Sequence, residues 1–359
     1  MKDLIFTKDE QWLKKWDDFV VTHTKGSHLV LSAWLSSYAT YGFDFEVGLI
    51  INEDEIVGGC GVVIPKFSFF KFYIIPHGPI LSEAYVQNFN PVLHQLKKRA
   101  KFLKCCYAQI SIPLSSNQLI LRHTYLPKSI NIEKTGFKQG KGFKHVYCTY
   151  GLNWLDINGI NDESELLACL NSHARRNIKT AYRNNLILKK ATTKETIKEA
   201  YELVELNARN SGYDTRSFNE VKESISNLIA DGLGFFLVAY KDEVIKGSAF
   251  FIKTSGSITY LFGGTLKEKP DLKVGYFLHW EAVRLAISGN CYGYNISMGG
   301  SKGVLRFKKQ FNTEQLFYQS PHYYVVINKP IFGMFELFEK YLKRYKKTIS
   351  ILLSKFTKN

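Results

Sequence analysis

Two stretches of the chain repeat one alternation of apolar and polar residues around a short charged turn. The first is INEDEIVGGCGVV at residues 51–63, and the second is YKDEVIKGSAFF at residues 240–251. Each has an apolar run, an Asp-Glu pair at residues 54–55 or 242–243, and a second apolar run that carries glycine. Two alternating runs about a short polar turn predict a β-hairpin. The sequence therefore predicts two related hairpins in one chain.

The segments that follow each hairpin also correspond, in the order strand, helix, strand. They lie at residues 72–81, 92–104 and 107–112 after the first hairpin, and at 258–266, 276–289 and 294–298 after the second. A strand, a crossover helix and a second strand form a unit whose two strands are parallel. We therefore expect an α/β fold made of two similar halves, each with a mixed sheet and flanking helices, and a ligand site where the strands diverge.

The repeat and a helical pattern after it divide the chain into three parts. We expect a first domain at residues 1–150, a second at 151–330 and a C-terminal helix at 331–359. In the last segment the apolar residues recur at alternating steps of four and three, and lysines occupy many other positions. The helix could pack on the body of the protein with its lysines in water. A basic amphipathic helix also suits an anionic bilayer surface, so peripheral membrane contact through 331–359 is a second expectation.

The net positive charge indicates an anionic partner but does not identify which one. The 359 residues include 48 Lys and Arg against 32 Asp and Glu, a formal net charge of +16. That excess favours a polyanion, such as nucleic acid, a phosphorylated substrate or a membrane surface. The six cysteines lack CxxC spacing, and we expect no metal site. We find no apolar run long enough to span a membrane and no signal-peptide pattern, so we expect a cytoplasmic protein.

Several motifs carry a resemblance to a known family. Gly78-Pro79 ends a strand, ARRNIKTAYRNN spans residues 174–185, and YDTRS spans residues 213–217. Three further blocks, ITYLFGGT, FLHWEAVRLAISGNCYGYNISMGG and GVLRFKKQF, follow in order between residues 258 and 311. Together these resemble the FemABX family, the peptidyltransferase-like branch of the GNAT-type acyltransferases. The resemblance implies two tandem GNAT-like domains, in the short form that lacks a coiled-coil arm.

The resemblance also implies an activity. Members of the family transfer amino acids from charged tRNA to the amine of a peptidoglycan precursor. We therefore expect aminoacyl-tRNA as donor, and a phosphorylated or lipid-linked cell-envelope precursor as acceptor. We find no GxGxxG after a strand, no P-loop and no clean coenzyme A loop between Gly264 and Tyr276, so no cofactor is expected. Two alternatives stay open: an acyl-CoA-dependent N-acyltransferase in exopolysaccharide or envelope modification, and a non-catalytic relative that binds tRNA or the envelope.

The candidate catalytic residues are Lys308 and Phe307 in LRFKKQF, residues 305–311. Amide formation from an activated ester needs stabilisation of negative charge, which a cation near the reacting centre supplies. In the family the lysine after this phenylalanine contributes to catalysis. If the motif is a strand, its side chains alternate between two faces, so that Lys309 lies on the same face as the apolar residues and Lys308 on the opposite face. The alternative is a solvated cationic edge strand without catalytic function.

The resemblance also names candidate substrate-binding residues. Arg216 matches a phosphate ligand, and its alternative is an ordinary charge before a helix. Tyr260 matches a substrate-contacting tyrosine, although a lone aromatic residue in a strand is more often core. Tyr38 stands where the family has a phosphate-binding lysine. The remaining candidates, Arg176 in the basic helix and Gly263 and Gly264 at a strand end, complete the predicted site.

The chain departs from the family elsewhere too. The acid that the family often carries before the proline of the last strand of this domain is missing from AQISIP, residues 108–113, and Glu220 stands where the family has tyrosine. These departures, with Tyr38, put the nucleotide-linked muropeptide in doubt as acceptor.

Overall fold

The strands form two separate sheets in the computed structural model, which describes residues 3–130 and 132–342. The first half contains these elements: β1 Ile5–Thr7, α1 Glu10–Thr22, α2 Ser32–Ser36, β2 Asp44–Asn52, β3 Glu55–Ile64, β4 Lys66–Phe67, β5 Phe70–Ile75, β6 Ile80–Leu81, α3 Phe89–Phe102, β7 Tyr107–Ser111 and β8 Lys138–Gln139. Short 3-10 turns lie at His28–Val30, Ser37–Tyr41, Glu83–Asn88, Gln118–His123, Pro127–Ser129 and Glu133–Thr135.

The second half begins with a strand and ends with a helix. Its elements are β9 Gly151–Asp156, α4 Glu163–Cys169, α5 Ser172–Arg183, β10 Ile187–Ala191, α6 Lys194–Ser211, α7 Phe218–Ala230, β11 Gly234–Lys241, β12 Val244–Thr254, β13 Ser257–Thr265, α8 Val274–Ser288, β14 Gly293–Asn295, α9 Lys302–Gln310, β15 Glu314–Phe317, β16 His322–Val326 and α10 Lys329–Leu337. A single π-helical turn, Phe338–Leu342, continues α10.

Both predicted hairpins are present. β2 pairs with β3, and β11 pairs with β12, in antiparallel register. The two turn residues of each hairpin have positive φ, at 49° and 69° for Glu53 and Asp54 and at 50° and 61° for Asp242 and Glu243. Positive φ at both central residues is the turn geometry that matches the twist of the strands. The first turn lies one residue earlier than the repeat predicts.

Each half also contains the predicted crossover unit. β5 and β7 are parallel and are joined through α3, while β13 and β14 are parallel and are joined through α8. The prediction of two similar α/β halves with mixed sheets is thus confirmed.

One strand crosses from the second half into the sheet of the first half. β16, near the end of the chain, lies between β7 and β8 in the first sheet. β9, at the start of the second half, lies between β14 and β15 in the second sheet. The predicted division into residues 1–150 and 151–330 follows the repeat, but the backbone hydrogen bonding crosses it. The prediction misses this because strand pairing between distant segments leaves no local pattern in the sequence.

The C-terminal helix packs on the first sheet. The ring of Phe332 stacks on Tyr107 with centroids 5.0 Å apart, and Phe335 lies 4.7 Å from Phe72. One apolar side of the segment 331–342 is therefore covered by protein, and residues 343–359 of the predicted helix lie outside the described residues. None of the described helices is both long and apolar enough to span a bilayer.

Candidate functional site

The strands of the second sheet diverge at one point. β13 and β14 pair only from Ser257–Thr259 to Gly293–Asn295, after which β13 continues to Thr265 while β14 ends. The loop that follows β14 turns sharply, with φ of 65° at Ser297, 74° at Gly299 and 120° at Gly300. In open α/β sheets ligands bind where neighbouring strands part at their carboxyl ends.

Helix α9 places Lys308 at this divergence. The side chain of Ser301 caps the helix by accepting a hydrogen bond from the Val304 amide at 3.4 Å. Phe307 and Phe311 lie four residues apart and contact the aromatic residues of α8. The prediction of a strand is wrong, because the capping serine and the four-residue spacing form a helix where the short alternation suggested period two. Lys308 is consequently buried and Lys309 exposed, the reverse of the predicted orientation.

The ammonium of Lys308 is held by backbone carbonyls. It donates to the oxygens of Ser297 at 2.9 Å and Gly299 at 3.0 Å, and the residue is 5% exposed. None of the ion pairs among residues 3–130 and 132–342 includes Lys308. Burial lowers its pKa to about 8, so the side chain is still largely charged at pH 7. An ammonium has three donors, which leaves one N–H for a further acceptor.

An aromatic cluster lies between α9 and α8, and its His279 is close enough to feel the charge of Lys308. Phe307 lies 4.9 Å from Tyr276 and 5.3 Å from His279, between ring centroids. Nδ1 of His279 hydrogen bonds to the hydroxyl of Tyr294. Burial, with the nearby Lys308 charge, lowers the pKa of His279 to about 3, so this imidazole is neutral. The apolar surroundings strengthen the electrostatic effect of Lys308 on any charge that develops beside it.

Tyr260 belongs to the same cluster. Its carbonyl oxygen accepts a hydrogen bond from the Ser297 hydroxyl, and its ring lies 4.7 Å from His279. Burial raises the pKa of Tyr260, so the phenol stays protonated at neutral pH. Of the candidates named from the sequence, the structure brings together Lys308, Phe307 and Tyr260.

Arg216 and Tyr38 lie where the two halves meet. Nη1 of Arg216 donates to the carbonyl oxygen of Ser37 at 3.1 Å and to its hydroxyl at 3.0 Å. The guanidinium also lies 6.0 Å from the ring of Trp34 and 5.7 Å from that of Tyr41. Tyr38 is buried beside Phe43, and burial raises its pKa to about 12. Arg216 is thus engaged in a contact between the halves.

The other three candidates have different surroundings. Arg176 is exposed on α5, with Nη2 3.1 Å from Nδ1 of His173. A Cβ at Gly264 would lie 2.0 Å from the carbonyl oxygen of Leu203 in α6, and one at Gly263 would lie 2.6 Å from a backbone oxygen of β12. The two glycines permit close packing within the second half, and neither lines the cavity described next.

A cavity of about 260 Å³ lies between the two halves, beside Lys308. Residues of the first half that line it include His28, Trp34, His77 and His123, and those of the second include Trp154, Ser255, Thr259, Phe262, Asn295 and Ser297. Ser297 connects the cavity to the catalytic candidate, because its carbonyl oxygen accepts from Lys308. The sequence did not single these residues out, since they come from six separate segments that only the fold brings together.

The three histidines of the cavity are neutral at pH 7. Nε2 of His77 lies 2.8 Å from the carbonyl oxygen of Lys25, and Nδ1 of His123 lies 2.9 Å from that of Thr24. Burial lowers the pKa of His28 to about 3, that of His77 to about 4, and that of His123 in the same direction. None of the described residues that line the cavity is Asp, Glu, Lys or Arg.

Comparison with known proteins identifies the family. The model of the FemAB family matches residues 13–220, and that of the acetyltransferase (GNAT) domain matches residues 172–309. The chain belongs to the FemAB family. The family assignment and the fold make the protein an acyltransferase built of two tandem GNAT-like domains. No curated protein matches the sequence.

Solved structures share the FemAB-type fold over nearly the whole chain. The crystal structure of FemX is 15% identical, with a TM-score of 0.73 over 92% of this chain and 99% of that one. The structure of L-PGS from Bacillus licheniformis is 11% identical, with a TM-score of 0.51 over 93% and 98%. A tandem GNAT protein from the clavulanic acid biosynthesis pathway is 11% identical, with a TM-score of 0.50 over 90% and 98%.

Proposed function

We propose that this acyltransferase forms an amide between an amino acid carried on aminoacyl-tRNA and an amine of a cell-wall precursor. The amine nitrogen attacks the ester carbonyl carbon and an oxyanion forms. The oxyanion then collapses, the bond from that carbon to the tRNA ribose oxygen breaks, and the proton lost by the amine ends on the ribose oxygen as a hydroxyl. The observation that carries the proposal is the ammonium of Lys308, buried without a carboxylate partner among the described residues where β13 and β14 diverge.

Lys308 has the properties that this reaction requires. Its third N–H is left to donate to an oxyanion, and the burial of the side chain makes that interaction stronger than it would be in water. Phe307 shapes the wall beside it, and Tyr260 shares the Ser297 loop through its carbonyl oxygen. The net charge of +16 supports a polyanionic donor such as tRNA.

Lys308→Met tests the proposal, with Lys309→Met on the exposed face of the same helix as the matched control. We expect Lys308→Met to lower amino acid transfer by about 100-fold or more, the usual cost of removing one oxyanion donor. The assay follows labelled amino acids from charged tRNA into amine acceptors of an envelope extract. Circular dichroism reports whether the variant folds. Full activity of a folded Lys308→Met protein would remove Lys308 from the mechanism.

A second candidate function is N-acyl transfer from acyl-CoA. The match to the GNAT domain model over residues 172–309 favours it. The same assay with acyl-CoA in place of charged tRNA separates the two, because only one donor should be consumed in an acceptor-dependent way. If neither donor is consumed while tRNA still binds, the protein is a non-catalytic relative and the proposal fails.

If the acceptor is lipid-linked, the reaction takes place at the inner face of the membrane. On the outer side of α10 and the turn after it, Met334, Leu337 and Tyr341 are exposed. We propose that the segment 331–359 provides a peripheral contact to anionic lipid. Flotation with anionic vesicles should recover the full chain, and a chain ending at residue 328 should stay unbound. Equal recovery of both would contradict the contact.

A further inference from the structure

Four buried polar atoms on side chains that line the cavity between the halves have no hydrogen-bond partner among the described residues. They are Nε1 of Trp34, Nδ1 of His77, Nε1 of Trp154 and Oγ of Ser255. His77, Trp154 and Ser255 are 4%, 3% and 4% exposed. Buried polar groups are nearly always paired, because one left unpaired destabilises the fold. Each half contributes two of these atoms, so they form one set only in the assembled fold.

The chemistry of these atoms defines what they can bind. The two indole nitrogens only donate. A carbonyl oxygen only accepts, so the Nε2 of His77 that contacts Lys25 O carries the proton, and its Nδ1 is an acceptor. The Ser255 hydroxyl can act either way. A matching group therefore offers at least two acceptors and one donor.

The cavity does not favour an anion. It has no basic side chain among its described lining residues, and its histidines are neutral. Arg216, the predicted phosphate ligand, does not line the cavity, and its Nη1 donates to Ser37. Placing a phosphate or carboxylate in such surroundings without an opposite charge is costly. A volume of about 260 Å³ is also small for a ligand pocket and suits one ring or a short peptide segment.

We propose that this cavity binds an uncharged group that carries both hydrogen-bond acceptors and donors, as a sugar ring or a peptide amide does. The inference rests on the proposed function in one respect, that the bound group belongs to the acceptor. Ser297 lines the cavity and also accepts from Lys308, so a group bound there brings the rest of the acceptor next to the ammonium. The flat rings of Trp34, Trp154 and Phe262 provide apolar surface for the ring or the methyl groups of that ligand.

Ligand-observed NMR on the full chain tests the inference with three probes. They are N-acetylglucosamine, the uncharged amide N-acetylalaninamide and inorganic phosphate, each at millimolar concentration. We expect saturable binding of the sugar or the amide, which identifies the source of the group, and no displacement of either by phosphate. The variants His77→Phe and Trp154→Phe remove one acceptor and one donor while keeping an aromatic ring, and each should weaken binding at least about fivefold. His173→Phe, on the exposed face of α5, is the control and should bind as the wild type does.

The readout separates this inference from the proposed transfer reaction, because it requires neither tRNA nor turnover. If the wild-type protein transfers no amino acid but still binds an uncharged probe in a way that depends on His77, the inference stands and the proposed function fails. Three results would overturn the inference: absence of binding by both uncharged probes, displacement by phosphate, or equal binding by folded His77→Phe. The first of these would mean that ordered water alone satisfies the four atoms.

Discussion

Lys308 is a cation kept in a buried position by two backbone carbonyls. Its charge has left water without gaining a carboxylate among the described residues, which explains why its pKa falls to about 8. Such a group destabilises the fold while it remains charged. A residue that costs stability and lies where neighbouring strands diverge is more typical of function than of packing.

This buried charge predicts how stability depends on pH. Between pH of about 8 and 10.5 the unfolded chain keeps the Lys308 proton while the folded protein loses it. Because the unfolded state then binds more protons, the free energy of unfolding of the wild type rises with pH through this window, relative to Lys308→Met. The slope is at most about 1.4 kcal/mol per pH unit.

Urea denaturation at a series of pH values measures this difference, and only its pH dependence matters. The absolute difference in the free energy of unfolding between the wild type and Lys308→Met also includes the cost of the two carbonyl groups that the substitution leaves without a donor. Lys309→Met, at the exposed neighbouring position, is the control and should parallel the wild type. A gap between the wild type and Lys308→Met that stays constant through this window would mean that burial does not lower the pKa of Lys308.

Arg216 and Tyr38 were found from the sequence, but their contacts in the fold were not. The sequence located Arg216 within the YDTRS motif, but it could not show that Ser37, 179 positions earlier, accepts its hydrogen bonds. Tyr38 follows Ser37 directly and is buried against Phe43. Where the family resemblance leads one to expect two phosphate ligands, this chain has a contact between its halves.

At the scale of elements, α6 packs on β13 through a glycine. The Cα of Gly264 approaches the carbonyl of Leu203 so closely that a Cβ would lie 2.0 Å from its oxygen. We expect Gly264→Ala to push α6 away from the sheet and to lower the free energy of unfolding by about 3 kcal/mol or more, at the upper end for overpacking. Chemical denaturation gives the value.

Gly333 provides the matched control for that substitution. It lies inside α10, and a Cβ there has no neighbour within 4 Å among the described residues. Replacing a helical glycine by alanine stabilises by about 0.5–1 kcal/mol. Gly333→Ala should therefore gain stability where Gly264→Ala loses it. Similar effects of the two substitutions would contradict the packing assigned to Gly264.

The elements differ in how far the sequence could predict them. The two hairpins were predictable because period-two alternation and turn residues are local signals, and both crossover helices have clear apolar spacing. Helix α9 was assigned wrongly because LRFKKQF is short enough to fit either period, and its cap, Ser301, lies before the motif. The family motif still located Lys308, since that identification depends on residue order and not on the period.

At the scale of the molecule, the halves are joined by more than a linker. Strand β16 of the second half pairs within the sheet of the first, and one apolar core runs across both halves, from Trp16 and Leu35 of the first to Tyr201 and Phe250 of the second. The cavity beside Lys308 lies at this junction. No segment of sequence contains enough of this arrangement to predict it, because its contacts join residues more than a hundred positions apart.

Strand β16 and the shared core predict that the two halves unfold as one unit. Most proteins of two domains unfold in separate steps, but here removal of β16 from the first sheet exposes the long edge of β7 and also uncovers the shared core. Hydrogen exchange with mass spectrometry follows β2–β3 and β11–β12 separately. In a chain ending at residue 342, the amides of both hairpins should lose their protection from exchange at the same urea concentration. A chain ending at residue 320 lacks β16, and the amides of both hairpins should exchange freely in it even without urea. If the shorter chain keeps β11–β12 protected while β2–β3 is lost, the halves are independent domains, and the cavity between them is free to open and close as they move.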